Sequence, residues 1–189
     1  AASAPLSLYE DAAALAEHYD FLVASDEAYS ELYADERPCS ALQLESRRRM
    51  VVFNSLSKRS SMTGYRAGYM VCDSEVADAV RLYRPMIGAA PQVFVQRAAV
   101  AALGDETHVE QARARYVRKR ALMRTPFVAA GFEDAGGDAT MFVWLATPGE
   151  ESSESVALRL LEHGIVVTPG RALGPSGEGY VRLALVPTE

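Results

Sequence analysis

Apolar residues recur at helical spacing near the start of the chain, at Leu8, Ala12, Leu15, Ala16 and Tyr19, which predicts a helix ending near Tyr19. Ser7-Leu8-Tyr9-Glu10 has the form of a capping box in front of it. Phe21-Leu22-Val23-Ala24 then reads as a short, fully apolar strand, of the kind found in parallel sheets covered by helices. A second apolar strand runs from Met50 to Asn54 and a third from about Ala67 to Cys72. Ser74 is placed to cap a helix through Tyr83, and Pro91 to Leu103 and Thr107 to Thr125 read as two more helices. The last carries a basic face of Arg113, Arg115, Arg118, Lys119 and Arg120, which as a helical charge run reads as solvated or inter-domain.

The pattern changes near Pro126. Beyond Gly131-Phe132 and Gly136-Gly137, strands are predicted over Thr140 to Thr147, Ile165 to Thr168 and Gly179 to Val186, with a helix from about Ser153 to His163. His163-Gly164 is a helix stop with glycine at the left-handed position. Thr168-Pro169-Gly170 and Gly174-Pro175-Ser176-Gly177 mark turns. The expected organisation is α/β: part of a large domain over residues 1–125, with a mostly parallel sheet and helices on both faces, then a small α+β domain over 126–189.

Composition narrows the classes of function. With 189 residues, 49% apolar and 23% charged, the chain has ordinary globular proportions. No apolar run is long enough for a membrane-spanning helix, and Ala1-Ala2-Ser3-Ala4-Pro5 lacks the form of a signal peptide. A net charge of −6 argues against nucleic acid as a partner. Arg47-Arg48-Arg49 is a local basic exception and reads as a solvated turn before a strand. Cys39 and Cys72 form no disulfide framework, and His18, His108 and His163 are too scattered for a metal motif. A reduced, cytoplasmic protein is the economical expectation.

The chemistry concentrates after the Met50–Asn54 strand, in Ser55-Leu56-Ser57-Lys58-Arg59-Ser60-Ser61-Met62-Thr63-Gly64-Tyr65-Arg66-Ala67-Gly68-Tyr69. A lysine there can form a Schiff base with a carbonyl, while Ser55, Ser57 and Arg66 offer hydroxyl and guanidinium donors suited to a phosphate. Asp26-Glu27-Ala28-Tyr29 follows the Phe21–Ala24 strand, and ligands in open α/β sheets sit at such strand ends. Asp26 could pair with a protonated ring nitrogen or simply cap the next turn. Near the other end, Arg182 in Gly179-Tyr180-Val181-Arg182-Leu183-Ala184 suits a carboxylate through its planar fork, or could be an arginine on an exposed strand face.

The lysine segment closely resembles the S-x-S-K-x-x-x-x-x-G-x-R-x-G motif of the class I/II aminotransferases of pyridoxal 5′-phosphate (PLP) fold type I. The Asp26-x-x-Tyr29 pair and the Arg182 strand resemble the same family's arrangement, as does Pro169-Gly170-Arg171-Ala172-Leu173-Gly174, with Leu173 where the family carries an aromatic residue. That turn is read as shape, and Trp144 as core. The resemblance implies PLP on Lys58, with Lys58 moving protons. It implies Asp26 on the pyridine nitrogen, Tyr29 on O3′, Ser55, Ser57 and Arg66 on the phosphate, and Arg182 on the substrate α-carboxylate. It implies an amino acid and a 2-oxo acid as substrates and a homodimer, while the charge, residue spacing and hydropathy above lead to the expectation of no metal, nucleic acid or membrane. Asn54 to Ser60 and Gly177 to Pro187 look most like the succinyldiaminopimelate branch of lysine biosynthesis.

The resemblance covers only the latter half of such an enzyme, without the upstream Gly/Ser phosphate loop, ring-stacking aromatic and Asn-Pro-x-Gly segment. The expectation is therefore a piece of a longer enzyme, or one whose other half is a second polypeptide, and poor activity from these 189 residues alone. A carbon–sulfur lyase of the same fold would share every residue named, and the PLP-sensing domain of a transcription regulator is a reading from another class. A nicotinamide enzyme is disfavoured because no Gly-x-Gly-x-x-Gly follows a strand.

Overall fold

The structure, a computed structural model, describes residues 3–88, 90–137, 139 and 141–186. The chain ends Ala1-Ala2 and Pro187-Thr188-Glu189, and the expected strand start at Thr140, lie outside the described residues. The chain divides into two compact units, residues 3–113 and 114–186 of the described chain, with the division inside one long helix. The composition change near Pro126 falls later in that same helix.

In the first unit, helix α1 (Leu6–Tyr19) precedes strand β1 (Val23–Asp26). Strand β2 (Met50–Ser55) runs straight into a one-turn helix α2 (Leu56–Arg59) and returns as β3 (Gly68–Val71). Helices α3 (Ser74–Tyr83) and α4 (Val93–Leu103) follow. The sheet order is β1-β2-β3. β1 and β2 are parallel, with Val23 opposite Met50 and Asp26 opposite Phe53. β3 is antiparallel, with Asn54 opposite Tyr69 and Ser55 opposite Gly68. The segment between β2 and β3 holds only one helical turn and a 3₁₀ turn, whereas a parallel return usually needs a full crossover helix. α1 covers the face of the sheet that carries Met50 and Val52, through Leu6, Tyr9 and Ala13. A second cluster forms where Leu56 and Ala67 meet Val95 of α4.

Helix α5 (Thr107–Ala129) runs from the first unit into the second. The second unit adds strands β4 (Glu133–Asp134) and β5 (Phe142–Ala146), helix α6 (Ser153–Glu162), and strands β6 (Thr168–Pro169) and β7 (Tyr180–Ala184). Its sheet is antiparallel throughout, in the order β4-β5-β7-β6. Period-two alternation sends Val143, Leu145, Val181 and Leu183 into a core with Phe127, Phe132 and Val156. Phe142, Trp144, Tyr180 and Arg182 are half-buried and alternate with those core residues. Trp144 is thus stacked on Tyr180, with ring centroids 5.3 Å apart, and does not join the buried core that the sequence suggested.

Several boundaries differ from the sequence reading. α1 starts at Leu6 with extended Pro5 as its N-cap, so Ser7 lies inside the helix and forms no capping box. β1 begins two residues later than the apolar run, because Phe21 and Leu22 lie exposed and precede the ladder. The cap of α3 is Asp73, whose carboxylate accepts from Val76 N at 2.9 Å, and Ser74 is the first helical residue. Pro126 does not end α5. It sits near the end of the helix, where its missing N–H removes one helical hydrogen bond, and Phe127 anchors that turn against Phe132. The strand expected from Ile165 is reduced to Thr168–Pro169. The basic face of α5 is more engaged than a solvated run: Arg120 donates to the Phe142 carbonyl at 2.8 Å, Lys119 to the Leu185 carbonyl at 3.3 Å, and Arg113 to the Tyr33 hydroxyl.

Candidate functional site

Two parallel strands end side by side where the sequence put its candidates. β1 finishes at Asp26 opposite Phe53, and β2 continues two residues further, through Asn54 to Ser55. Ser55 ends the strand and caps α2, its Oγ accepting from Ser57 N at 3.1 Å while its own hydroxyl reaches the Ala67 carbonyl at 3.4 Å. The cap fixes the strand-to-helix turn that carries Lys58.

Lys58 is half-buried, and its Nζ lies 5.7 Å from the centroid of the Tyr29 ring. Among the described residues it pairs with no carboxylate. Asp26 is exposed; one of its oxygens accepts from Ala28 N at 3.1 Å and starts the turn that brings Tyr29 round. That turn is braced from beneath by Glu27, a buried carboxylate that accepts from Ser25 Oγ at 3.2 Å and from Ala41 N at 2.9 Å. Asn54 donates through Nδ2 to Ser30 Oγ at 3.3 Å and accepts from Ser55 N at 2.7 Å, so one side chain links the turn after β1 to the start of the lysine segment.

Arg66 returns to this end of the sheet because β3 runs antiparallel to β2. It is exposed, its backbone is left-handed at φ 52°, and Nη1 donates to the Thr63 carbonyl at 3.0 Å. Thr63 in turn donates to the Ser57 carbonyl at 3.1 Å, which ties the arginine's turn to α2. Gly68 is required where β3 closes on β2, since a Cβ there would meet the Asn54 carbonyl oxygen at 2.7 Å. Asp26, Tyr29, Ser55, Ser57, Lys58 and Arg66 are therefore carried by the same end of one sheet.

Tyr69 sits opposite Asn54; its phenol is shifted upward, first by burial and then by the nearby Glu31 carboxylate. Sequence reasoning gave no role to Glu27, Asn54 or Arg59. Glu27 and Asn54 lay inside or beside segments already singled out, but their work is long-range hydrogen bonding, which spacing does not encode.

Arg182 belongs to the second unit. On β7 it faces Trp144 on one side and Thr168 on the other in the ladder. Its guanidinium lies 4.6 Å from the Phe142 ring centroid and donates to Thr168 Oγ1 at 3.5 Å, while its Nε is buried and, among the described residues, has no hydrogen-bond partner. Glu178, close by in sequence, accepts from Ser153 N at 2.7 Å at the start of α6, and this hydrogen bond is the first cause holding its carboxyl below the ordinary range. In the Pro169–Gly174 turn the backbone packs closely: a Cβ on Gly170 would lie 2.1 Å from the Gly177 carbonyl oxygen.

The donor set fits an aromatic phosphate. Among the described residues Ser57 Oγ makes no hydrogen bond, Arg66 keeps further N–H groups beyond the one given to Thr63, and Asp26 keeps one carboxylate oxygen unused. A free primary amine, a free carboxylate oxygen and a phenol within one sheet end match a carbonyl, a pyridinium nitrogen and a ring oxygen. Among the described residues no cluster of three or more His, Cys, Asp or Glu could hold a metal ion, and no helix is long and apolar enough to cross a membrane.

The chain is similar to known aminotransferases. The profile of the family "Aminotransferase class I and II" matches residues 1–189. A probable aminotransferase of Mycobacterium tuberculosis is 41% identical over 175 residues, covering 89% of this chain and 41% of that protein. The LL-diaminopimelate aminotransferase of Halothermothrix orenii is 35% identical over 192 residues, covering 100% of this chain and 49% of the relative. Among solved structures, an aminotransferase from Neisseria meningitidis superposes with a TM-score of 0.88 at 37% identity, over 97% of this chain and 49% of that one. A probable N-succinyldiaminopimelate aminotransferase from Thermus thermophilus gives 0.86 at 30% identity, over 99% and 51%. The α/β fold is that of PLP fold type I, and the chain spans about half the length of the curated relatives it matches.

Proposed function

The chain belongs to the class I and II aminotransferases, and on that premise we propose that the protein uses pyridoxal phosphate to move an amino group from an amino acid to a 2-oxo acid. The observation that carries the reading is the meeting of Asp26, Tyr29 and Lys58 at the shared end of β1 and β2, with the Lys58 amine unpaired by any described carboxylate.

When bound, the cofactor supplies an electron sink that makes the amino-acid Cα–H bond acidic. The residues of this chain do the rest. Lys58 would hold the cofactor through Nζ and, once released, carry the proton taken from Cα. Asp26 would keep a proton on the pyridine nitrogen, the charge that makes the sink effective. Tyr29 would donate to the ring oxygen. Ser57 and Arg66 would donate to the phosphate, with Ser55 both a donor and the cap that fixes the turn. Arg182 would grip the substrate α-carboxylate with its fork, steadied by Phe142 and Thr168.

The substrate side of the reading is a dicarboxylic amino acid of the diaminopimelate type, supported by the relatives of that name. A homodimer and a cytoplasmic setting belong to the same proposal; two half-buried free cysteines suit a reducing compartment. The assay that tests it supplies an amino donor with 2-oxoglutarate and measures glutamate formed against pyruvate released. Glutamate without pyruvate supports amino transfer, while pyruvate from a sulfur-containing donor would replace it with a carbon–sulfur lyase.

A further inference from the structure

Building on the proposed role of Lys58, we infer that Arg59, its neighbour, is a positioning residue that fixes how Lys58 is presented. α2 is a single turn, too short to hold itself together in water. What holds it is on its inward side. Leu56 is buried against Ala67 and Val95, and Arg59, 4% exposed, is the most buried charged side chain among the described residues.

The Arg59 guanidinium spans two acceptors far away in sequence. Nη1 donates to the Ala102 carbonyl at 2.9 Å, at the C-terminal end of α4, and also reaches Ser60 Oγ at 3.3 Å. Nη2 pairs with Glu106, just past that helix end. A buried cation costs several kcal/mol unless it is paired and hydrogen-bonded, and here both arms are satisfied. The carbonyls at a helix C-terminus carry partial negative charge, so α4 presents the right pole. Ser57 and Lys58 lie between Leu56 and Arg59 in the same turn and move with it. The fork of an arginine can join a carbonyl to a carboxylate in a fixed geometry, which a lysine ammonium cannot reproduce.

The chain has two lysines, Lys58 and Lys119, so one serves as reporter and the other as reference. Arg59→Lys keeps a cation opposite Glu106 but loses the fork; Glu106→Gln loosens the clamp from its exposed side. Trace reductive methylation of the cofactor-free protein, followed by digestion and fragment sequencing that resolves position 58 from the amine Arg59→Lys adds at position 59, gives the Lys58:Lys119 ratio. Circular dichroism and Tm identify folded variants, and should Arg59→Lys fail to fold, Glu106→Gln carries the test.

We expect the methylation ratio to rise about tenfold as the half-buried amine is released, the population change that follows loss of one charge-assisted hydrogen bond. Borohydride-trapped pyridoxal phosphate at Lys58 should fall in parallel. A merely structural arginine would lower Tm and leave both readouts of the folded variants at the parent's values, and that result overturns the inference. Trapping on Lys119 in the parent protein would overturn the cofactor reading instead, and the methylation ratio would still decide the role of Arg59.

Discussion

Asp26 visibly does a small thing: it accepts one backbone hydrogen bond and starts a turn. If that were all, Asp26→Ala would cost about 1 kcal/mol of stability, as loss of a typical cap does. The proposed function asks more of it. Asp26→Ala should leave pyridoxal phosphate bound yet slow the half-reaction with an amino acid by at least about a hundredfold, roughly 2.7 kcal/mol of barrier. Single-turnover absorbance is the measurement, and a slowing below about tenfold would return Asp26 to the turn alone. Glu178 makes a contrasting case, since its work is structural. Its folded carboxyl sits below the ordinary range because Ser153 N–H donates to it. A carboxyl whose folded value is lowered contributes stability in full above its unfolded value, and loses it as pH falls through the folded one. Glu178→Gln should therefore be less stable than the parent near about pH 7, with the gap closing near about pH 3. Denaturant unfolding at the two pH values checks it; a gap that persists in acid would mean the side chain acts through packing. The role of Asp26 could be posed from sequence because it lies at the end of an apolar run. That of Glu178 could not, because its partner lies 25 residues away.

At the scale of elements, the apolar runs located β1, β2 and most helices to within a few residues, because burial of one face is written in the order of the residues themselves. Ends were less legible. Ser7 and Ser74 have good capping chemistry, yet the chain enters α1 through extended Pro5, two positions before Ser7, and α3 through Asp73, one position before Ser74. Asp73→Ala should cost about 1 kcal/mol in denaturant unfolding, whereas Ser74→Ala should cost much less; the reverse order would restore the serine as the cap. The path of α5 past Pro126 was invisible for a related reason: the penalty depends on how near the proline sits to the helix end and on what Phe127 packs against. Glycines divide in the same way. Gly170→Ala forces a Cβ against the Gly177 carbonyl oxygen, a backbone atom with no room to yield, and should destabilise by about 1–3 kcal/mol or more. Gly64→Ala meets nothing within 4 Å and should stay within about 0.5 kcal/mol of the parent. Thermal unfolding of the pair checks the contrast, and equal effects would contradict the close approach.

At the scale of the whole molecule, the three-stranded sheet gathers six of the seven candidate residues at one end, five from its parallel pair and the turns that follow and Arg66 through the antiparallel β3, while Arg182 stands in the other unit. The six were readable because the motif places them at strand ends and in the turns that follow, and strand ends are where a parallel sheet presents its ligands. The long-range ties that hold them, from Glu27 to Ala41, Asn54 to Ser30 and Arg59 to Ala102, were not readable, since each joins residues whose spacing has no period. The account rests on Lys58, and the scarcity of lysine makes it directly testable. The protein is incubated with pyridoxal phosphate, reduced with borohydride and digested, and the pyridoxyl group is located by mass spectrometry. The account predicts the label on the peptide containing Lys58, with Lys119 unmodified at stoichiometric cofactor. Label on Lys119, or on neither lysine when the cofactor is demonstrably bound, would contradict it.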